Sequence, residues 1–345
     1  MSMKAKILEL LREKKDRVAA GAPESEAYVS GQELCEQFGV SRTAVWKAIG
    51  QLKKEGYVIE AVQNRGYRLL DQTEEVYNQA DIQSRLKTKW VAHPLQFFDS
   101  IDSTNIRLVA EQGAESGLLV VSDMQSAGRG RRGRGWESPA GTNIYYTLML
   151  KPDFSSDCAP MLTLVMALAV AKGIRQTLRR DSEEAAAKVG IKWPNDIVVD
   201  GKKVCGILTE MSMEQGYIQH IVIGVGINVR KQEFPEEIRD RAAAIDEQCG
   251  FRISRSQLTA DIMEAFEEDY EIFLRTHDLK GLRASYAELL VNQDREVCVL
   301  DPKGEYRGIA RGINDQGELL VRKEDGTVTS VYAGEVSVRG IYGYV

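Results

Sequence analysis

Apolar positions recur at helical spacing near the start of the chain, at Ile7, Leu8, Leu10, Leu11 and Val18, and predict an amphipathic helix over 4–18. A loop marked by Gly21 and Pro23 follows over 19–30. From Ser30 to Leu52 the residues Leu34, Phe38, Val45, Ile49 and Leu52 can share one core. Gly39 supplies a tight turn between two helices, and Ser41 caps the second. Two alternating runs, Tyr57–Val62 and Tyr67–Leu70, are joined by Asn64-Arg65-Gly66 and form a hairpin. Residues 1–70 therefore read as a winged helix-turn-helix domain.

Residues 71–90 are polar and mixed, a linker with room for a short helix. From Gln96 strands and helices alternate. Leu118–Asp123, Asn143–Leu150 and Tyr217–Asn228 are strand-like, and Ala159–Arg180 is a long helix. Asp200-Gly201 sits between Ile197–Val199 and Val204–Thr209 as a hairpin turn. Residues 255–288 return to helix. This predicts a central α+β domain over 91–290. Beyond 291 the short runs Val297–Leu300, Tyr306–Ile313, Glu318–Arg322 and Thr327–Tyr332 alternate with turn residues and predict a small β-barrel over 291–345. The fold class is multidomain α+β.

Charge divides along the same boundary. Residues 1–70 hold 12 Lys and Arg against 9 Asp and Glu, whereas the rest hold 33 against 42. The N-terminal part thus suits a polyanion and the remainder does not. Five cysteines, widely spaced and without a CxxC pair, support neither a disulfide framework nor a zinc site. The apolar run Met161–Ala171 is too short to span a bilayer, and the N-terminus has no signal-like apolar core. A cytoplasmic protein without membrane partners is expected.

On the second helix of the N-terminal domain, Arg42, Thr43, Trp46 and Lys47 cluster near the end that enters a major groove. Arg42 and Lys47 suit guanine edges or phosphates, and Thr43 and Trp46 a thymine methyl. Arg65, at the hairpin tip, suits the DNA backbone or minor groove. Trp46 equally fits an inward packing role, and Gly50 within this helix has no evident purpose.

Gln125-Ser-Ala-Gly-Arg-Gly-Arg-Arg-Gly-Arg-Gly-Trp136 is the most unusual segment. Gly128, Gly130 and Gly133 formally satisfy GxGxxG, but Pro139 and its neighbours cannot open the helix a dinucleotide fold requires. No P-loop sequence occurs. The glycines allow backbone N–H groups close to an anion, and Arg129, Arg131, Arg132 and Arg134 supply forked donors for phosphate or carboxylate. Such a loop is expected to be mobile until an anion orders it. Lys192, between Ile191 and Trp193, faces the opposite side from both in a strand that Pro194 ends. Taken alone it reads first as a solvated surface lysine, with a fixed cation for carboxylate and phosphate as the other reading. Ser103, Thr104 and Asn105 fit either a ureido-type ligand or helix N-capping. The Ile223-Gly-Val-Gly-Ile-Asn228 strand end fits either a ligand or a β-bulge. His93, His220 and His277 show no metal-ligand spacing, and no protein-held metal is expected.

Together, Asp102-Ser-Thr-Asn105, the 125–136 loop, Lys192-Trp-Pro-Asn-Asp196, Lys203-Val-Cys-Gly-Ile-Leu208 and Ile223-Gly-Val-Gly-Ile-Asn228 resemble the biotin–protein ligase family over almost the whole chain. The helix-turn-helix in front resembles its bifunctional subgroup, which also represses biotin genes. The ending Gly334-Glu-Val-Ser-Val-Arg339 resembles that family's SH3-like C-terminal domain. The resemblance implies adenylation of biotin by Mg-ATP, then transfer to a lysine of a biotin carboxyl carrier domain. It implies that Ser103, Thr104, Asn105, Gln125, Arg129, Gly130, Arg131 and Lys192 hold biotin. Lys192, Arg129 and Arg131 would act in catalysis, and Arg132 and Asn228 would face the nucleotide. Asn195 and Asp196 are structural or nucleotide-facing. It further implies a homodimer when biotinyl-AMP is bound, and operator DNA as a partner. A lipoate–protein ligase is the nearest rival, but this chain lacks a Gly-Gly doublet. A winged-helix sensor without catalysis is the other, and Lys192 and Arg129 argue against it.

Overall fold

A computed structural model describes residues 1–345 apart from 73, 112, 301–303, 333–336 and 341–345; the side chains of 337–340 are also outside the described set. The chain forms two compact units, Met1–Leu86 and Lys87–Val345.

The first unit contains helices α1 (Met3–Ala19), α2 (Gly31–Phe38) and α3 (Arg42–Lys54), the hairpin β1 (Ile59–Val62) and β2 (Gly66–Leu69), and the short helix α4 (Gln79–Gln83). Ser2, Ser30 and Ser41 each accept a backbone N–H at a helix start. Gly39 ends α2 in the left-handed region at φ 64°, the turn the helix-turn-helix needs. Ile7, Leu8, Leu11, Leu34, Val45, Ile49 and Leu52 meet in one core. Gly50 faces open space, and nothing in the structure explains its presence in α3. The stretch read from the sequence as linker contributes α4 to this unit. Asp81 of α4, almost fully buried, accepts from the Tyr57 hydroxyl at 3.0 Å and pairs with Arg12 and Arg85.

The second unit is built on a seven-stranded mixed sheet. Its elements in chain order are β3 (Leu95–Phe98), α5 (Thr104–Val109), β4 (Leu119–Ser122), β5 (Ile144–Leu150), α6 (Met161–Arg179), α7 (Glu183–Ala187), β6 (Val189–Lys192), β7 (Asp196–Val199), β8 (Lys202–Glu214), β9 (Tyr217–Ile227), α8 (Ile245–Cys249), α9 (Arg255–Phe273) and α10 (Arg283–Leu289). The strand order is β3-β4-β5-β9-β8-β7-β6, antiparallel except for the β3–β4 pair. Helix α6 is apolar enough to resemble a membrane span but is largely buried, packed against α9. The helix expected over 255–288 is two helices. The chain leaves α9 after Phe273, His277 takes φ 55°, and Leu279 donates its N–H to Asp315 O at 2.8 Å instead of continuing the helix.

The tail supplies β10 (Glu296–Leu300), β11 (Tyr306–Ile313), β12 (Leu319–Arg322), β13 (Val328–Val331) and β14 (Ser337–Gly340). They pair as an antiparallel sheet in the order β13-β12-β11-β10-β14. Among the described residues this is a five-stranded antiparallel sheet. Of the ending Gly334–Arg339, residues 334–336 lie outside the described residues.

Candidate functional site

One cleft of about 700 Å³ opens over β8 and β9. Ser103, Thr104, Asn105, Gln125, Arg129, Gly130, Arg131, Arg132, Lys192 and Asn228 all line it. Residues spread over more than a hundred positions of sequence thus converge on one concave surface.

The first end of the cleft is a polar network at the start of α5. Ser103, Thr104 and Asn105 are all buried. Ser103 heads the helix, yet its side chain makes no capping bond, so capping alone does not account for it. Gln125 Oε1 accepts from the backbone N–H and the hydroxyl of Thr104, at 2.8 and 3.0 Å. Its Nε2 donates to the Ser138 hydroxyl at 3.0 Å. Asn105 Oδ1 accepts from the Thr147 hydroxyl at 2.5 Å, and Asn105 Nδ2 donates to Glu210 at 2.7 Å. These bonds fix the orientation of each amide, which is what recognition of a small polar head group needs.

The glycines of β9 give this network its room. Gly206, Leu208 and Glu210 of β8 lie opposite Gly226, Gly224 and Val222. A Cβ at Gly224 would stand 2.2 Å from Asn105 Oδ1, and one at Gly226 would stand 2.4 Å from Trp136 Nε1. The two glycines therefore sit in a regular strand and admit two side chains; there is no β-bulge at these positions.

The middle of the cleft is cationic. Lys192, the last residue of β6, is only 5% exposed, so it is not a solvated surface lysine. Its partner across the ladder is Asp196, whose carboxylate lies 3.9 Å from Lys192 Nζ and 2.5 Å from Lys203 Nζ. Its neighbours Ile191 and Trp193 are buried and do not line the cleft. Trp193 is buried, and its indole N–H donates to Gly317 O at 3.0 Å. The glycine–arginine loop closes on itself over this region. Arg129 bridges to Gly135, and Gly130 N–H donates to Arg134 O at 2.7 Å. Arg131 donates to Asn195 Oδ1 at 2.7 Å, and Arg129 lies 3.5 Å from Glu210. These internal bonds give the loop a hairpin form. At the far side, Asn228 is buried, with its N–H bonded to Val204 O and its carbonyl accepting from Ile245 N–H.

In the first unit, Arg42, Thr43, Trp46 and Lys47 are exposed together on α3, with Trp46 at 71%. Trp46 does not pack inward. Arg65, exposed at the hairpin tip, holds its guanidinium 4.8 Å above the Tyr28 ring.

Sequence reasoning missed Glu210 and Thr147, and gave Lys203 and Trp136 no task. Glu210 was findable as an acidic residue on the same strand face as Gly206. Thr147, inside the fully buried β5, carries no signal that separates it from a core threonine.

Residues 97–228 match the biotin/lipoate A/B protein ligase family, residues 24–68 a helix-turn-helix domain, and residues 294–339 the biotin protein ligase C-terminal domain. The bifunctional ligase/repressor BirA of Bacillus subtilis is 35% identical over 329 residues, covering 94% of this chain and 98% of the relative. This chain belongs to the biotin–protein ligase family. The Escherichia coli BirA, another bifunctional ligase/repressor, is 32% identical and covers 90% of this chain and 92% of the relative. Among solved structures of the family, the Aquifex aeolicus biotin protein ligase in complex with biotin and ATP superimposes with a TM-score of 0.61 at 29% identity. That match covers 71% of this chain and 98% of the Aquifex protein.

Proposed function

We propose that this chain activates biotin with ATP, transfers it to a lysine of a biotin carboxyl carrier domain, and represses biotin genes when the adenylate is bound. In the first step a biotin carboxylate oxygen attacks the α-phosphorus of ATP and pyrophosphate leaves. In the second, the carrier's lysine amine attacks the acyl carbon of biotinyl-5′-AMP, an amide forms, and AMP leaves with the bonding pair.

The observation that carries this reading is the buried Lys192 in the wall of the same cleft whose other end is the Ser103–Thr104–Asn105–Gln125 network. A neutral head group meets hydroxyls and amides. A carboxylate and a phosphate then meet Lys192, Arg129, Gly130 and Arg131, which offset the charge that builds up as the two anions react. Arg132 and Asn228 face the nucleotide. Asn195 holds Arg131, and Asp196 holds Lys192 and Lys203, so both act on the cleft by positioning its cations. Most of the rate enhancement then comes from placement and preorganised charge.

Magnesium enters with ATP. Among the described residues no group of three or more His, Cys, Asp or Glu side chains is arranged to hold a metal. On the regulatory side, Arg42, Thr43, Trp46 and Lys47 enter the operator's major groove and Arg65 reaches its backbone or minor groove. A homodimer formed with biotinyl-AMP bound presents two such units to a palindromic site.

The test is pyrophosphate release with biotin or lipoate as acid, with and without a carrier domain, in wild type and Lys192→Ala. Release with biotin alone, carrier labelling, and loss of both in the variant are expected. Turnover with lipoate and none with biotin would overturn the reading.

A further inference from the structure

Glu210 holds two groups that belong to different parts of the cleft. It sits on β8 with its side chain 35% exposed, and lines a smaller pocket next to the cleft together with Asn105 and Arg129. One oxygen accepts from Asn105 Nδ2 at 2.7 Å; the other lies 3.5 Å from Arg129 Nη1. Asn105 is buried and its amide is fixed from the opposite side by Thr147. Arg129 is 52% exposed and belongs to the arginine loop. The two contacts therefore differ in strength. The Asn105 bond is a charge-assisted hydrogen bond to a buried amide. The Arg129 contact is a partly exposed ion pair at a long distance, of a kind that contributes little.

We propose that Glu210 is a positioning residue with two tasks: it orients Asn105 permanently, and it holds Arg129 only until a substrate anion takes its place. This rests on the reading above, in which Arg129 meets the biotin carboxylate or the adenylate phosphate. Without substrate, the Glu210 carboxylate is the anion nearest Arg129 and keeps its guanidinium over the cleft. A bound carboxylate or phosphate offers the same fork a closer partner, and the Glu210 pair is weak enough to give way. Occupancy of the anion site is thereby coupled to release of Arg129, while Asn105 stays in place. The arrangement imposes a small affinity cost on any anionic ligand and none on a neutral one.

The two tasks separate by substitution. Glu210→Gln keeps an amide oxygen for Asn105 and loses the charge for Arg129. Calorimetric titration of the full chain with biotin and with neutral biotinamide reads the difference. Glu210→Gln is expected to tighten biotin by about threefold, within the range of an exposed ion pair, and to leave biotinamide unchanged. In an Arg129→Ala background the same substitution is expected to do nothing to biotin. Glu210→Ala, which also frees Asn105, is expected to weaken biotinamide. Equal weakening of both ligands by Glu210→Gln would reduce Glu210 to a structural role and overturn the proposal. Tightening that persists undiminished without Arg129 would make it plain charge repulsion and overturn it as well. Biotin affinity unaffected by Arg129→Ala alone would instead refute the placement of Arg129 at the anion, and the proposal with it.

Discussion

The indole N–H of Trp193 donates to the carbonyl of Gly317 at 3.0 Å, one residue along the chain from Lys192. Trp193 N–H also donates to Asn292 Oδ1 at 3.1 Å, and Val291 N–H donates to Ile191 O at 3.0 Å. The strand that carries the cleft's buried lysine is thus fastened from behind by the segment leading into the C-terminal sheet and by the turn between β11 and β12.

Trp193→Phe removes one of these fastenings and leaves a buried carbonyl unpaired. A loss of about 1–3 kcal/mol in stability is expected. Urea denaturation measures it. Because Lys192 is adjacent, the adenylation rate under conditions where the variant is fully folded is also expected to fall, with little change in biotin affinity.

Gly226→Ala should disable the cleft without unfolding the sheet. The new methyl would stand 2.4 Å from Trp136 Nε1, so the indole must leave its seat against β9 and take the arginine loop with it. A loss of roughly tenfold or more in kcat/KM is expected, since small displacements of positioning groups are costly. Steady-state kinetics alongside an unchanged far-ultraviolet circular dichroism spectrum checks this.

Lys47→Ala should act on DNA alone. A lost phosphate contact weakens binding at every sequence and lowers the salt slope by about 1. Fluorescence anisotropy over a series of salt concentrations reads the slope, and biotin ligation by the same preparation should match wild type.

Burial pushes the Cys205 thiol far above its ordinary range. Above the unfolded thiol's pKa of about 8.5 the unfolded chain releases a proton that the folded chain keeps, so the native state binds more protons. This contribution to stability is fully present below that pH and is lost as pH rises toward the folded value. Denaturant midpoints between about pH 8.5 and 10 should fall more steeply for wild type than for Cys205→Val.

Much of this fold is legible in the sequence because its signals are local. Gly39 and Ser41 place the helix-turn-helix, and Asp200-Gly201, at φ 51° and 74°, places the β7–β8 hairpin. The break between α9 and α10 is not legible, since Leu279 bonds to Asp315, a partner met only after the tail folds back. The cleft divides in the same way. The arginine loop stands out because its glycine and arginine spacing is unusual, and Lys192 stands out only through the resemblance of its Lys-Trp-Pro-Asn-Asp segment. Glu210 and Thr147 do not, because their importance comes from what Asn105 needs across the sheet, a long-range relation without periodicity. The two glycines of β9 fit a bulge equally well until Asn105 and Trp136 are seen occupying the space they leave.

In the proposed reaction Lys192 stabilises the charge that develops as a biotin carboxylate meets the α-phosphate. The most direct test is single-turnover formation of biotinyl-5′-AMP from saturating biotin and α-labelled ATP, comparing wild type with Lys192→Met. A rate lower by about a hundredfold or more is expected, the scale on which one preorganised charge-stabilising group acts, in a variant that still melts cooperatively. A folded Lys192→Met protein that forms the adenylate at the wild-type rate would contradict it.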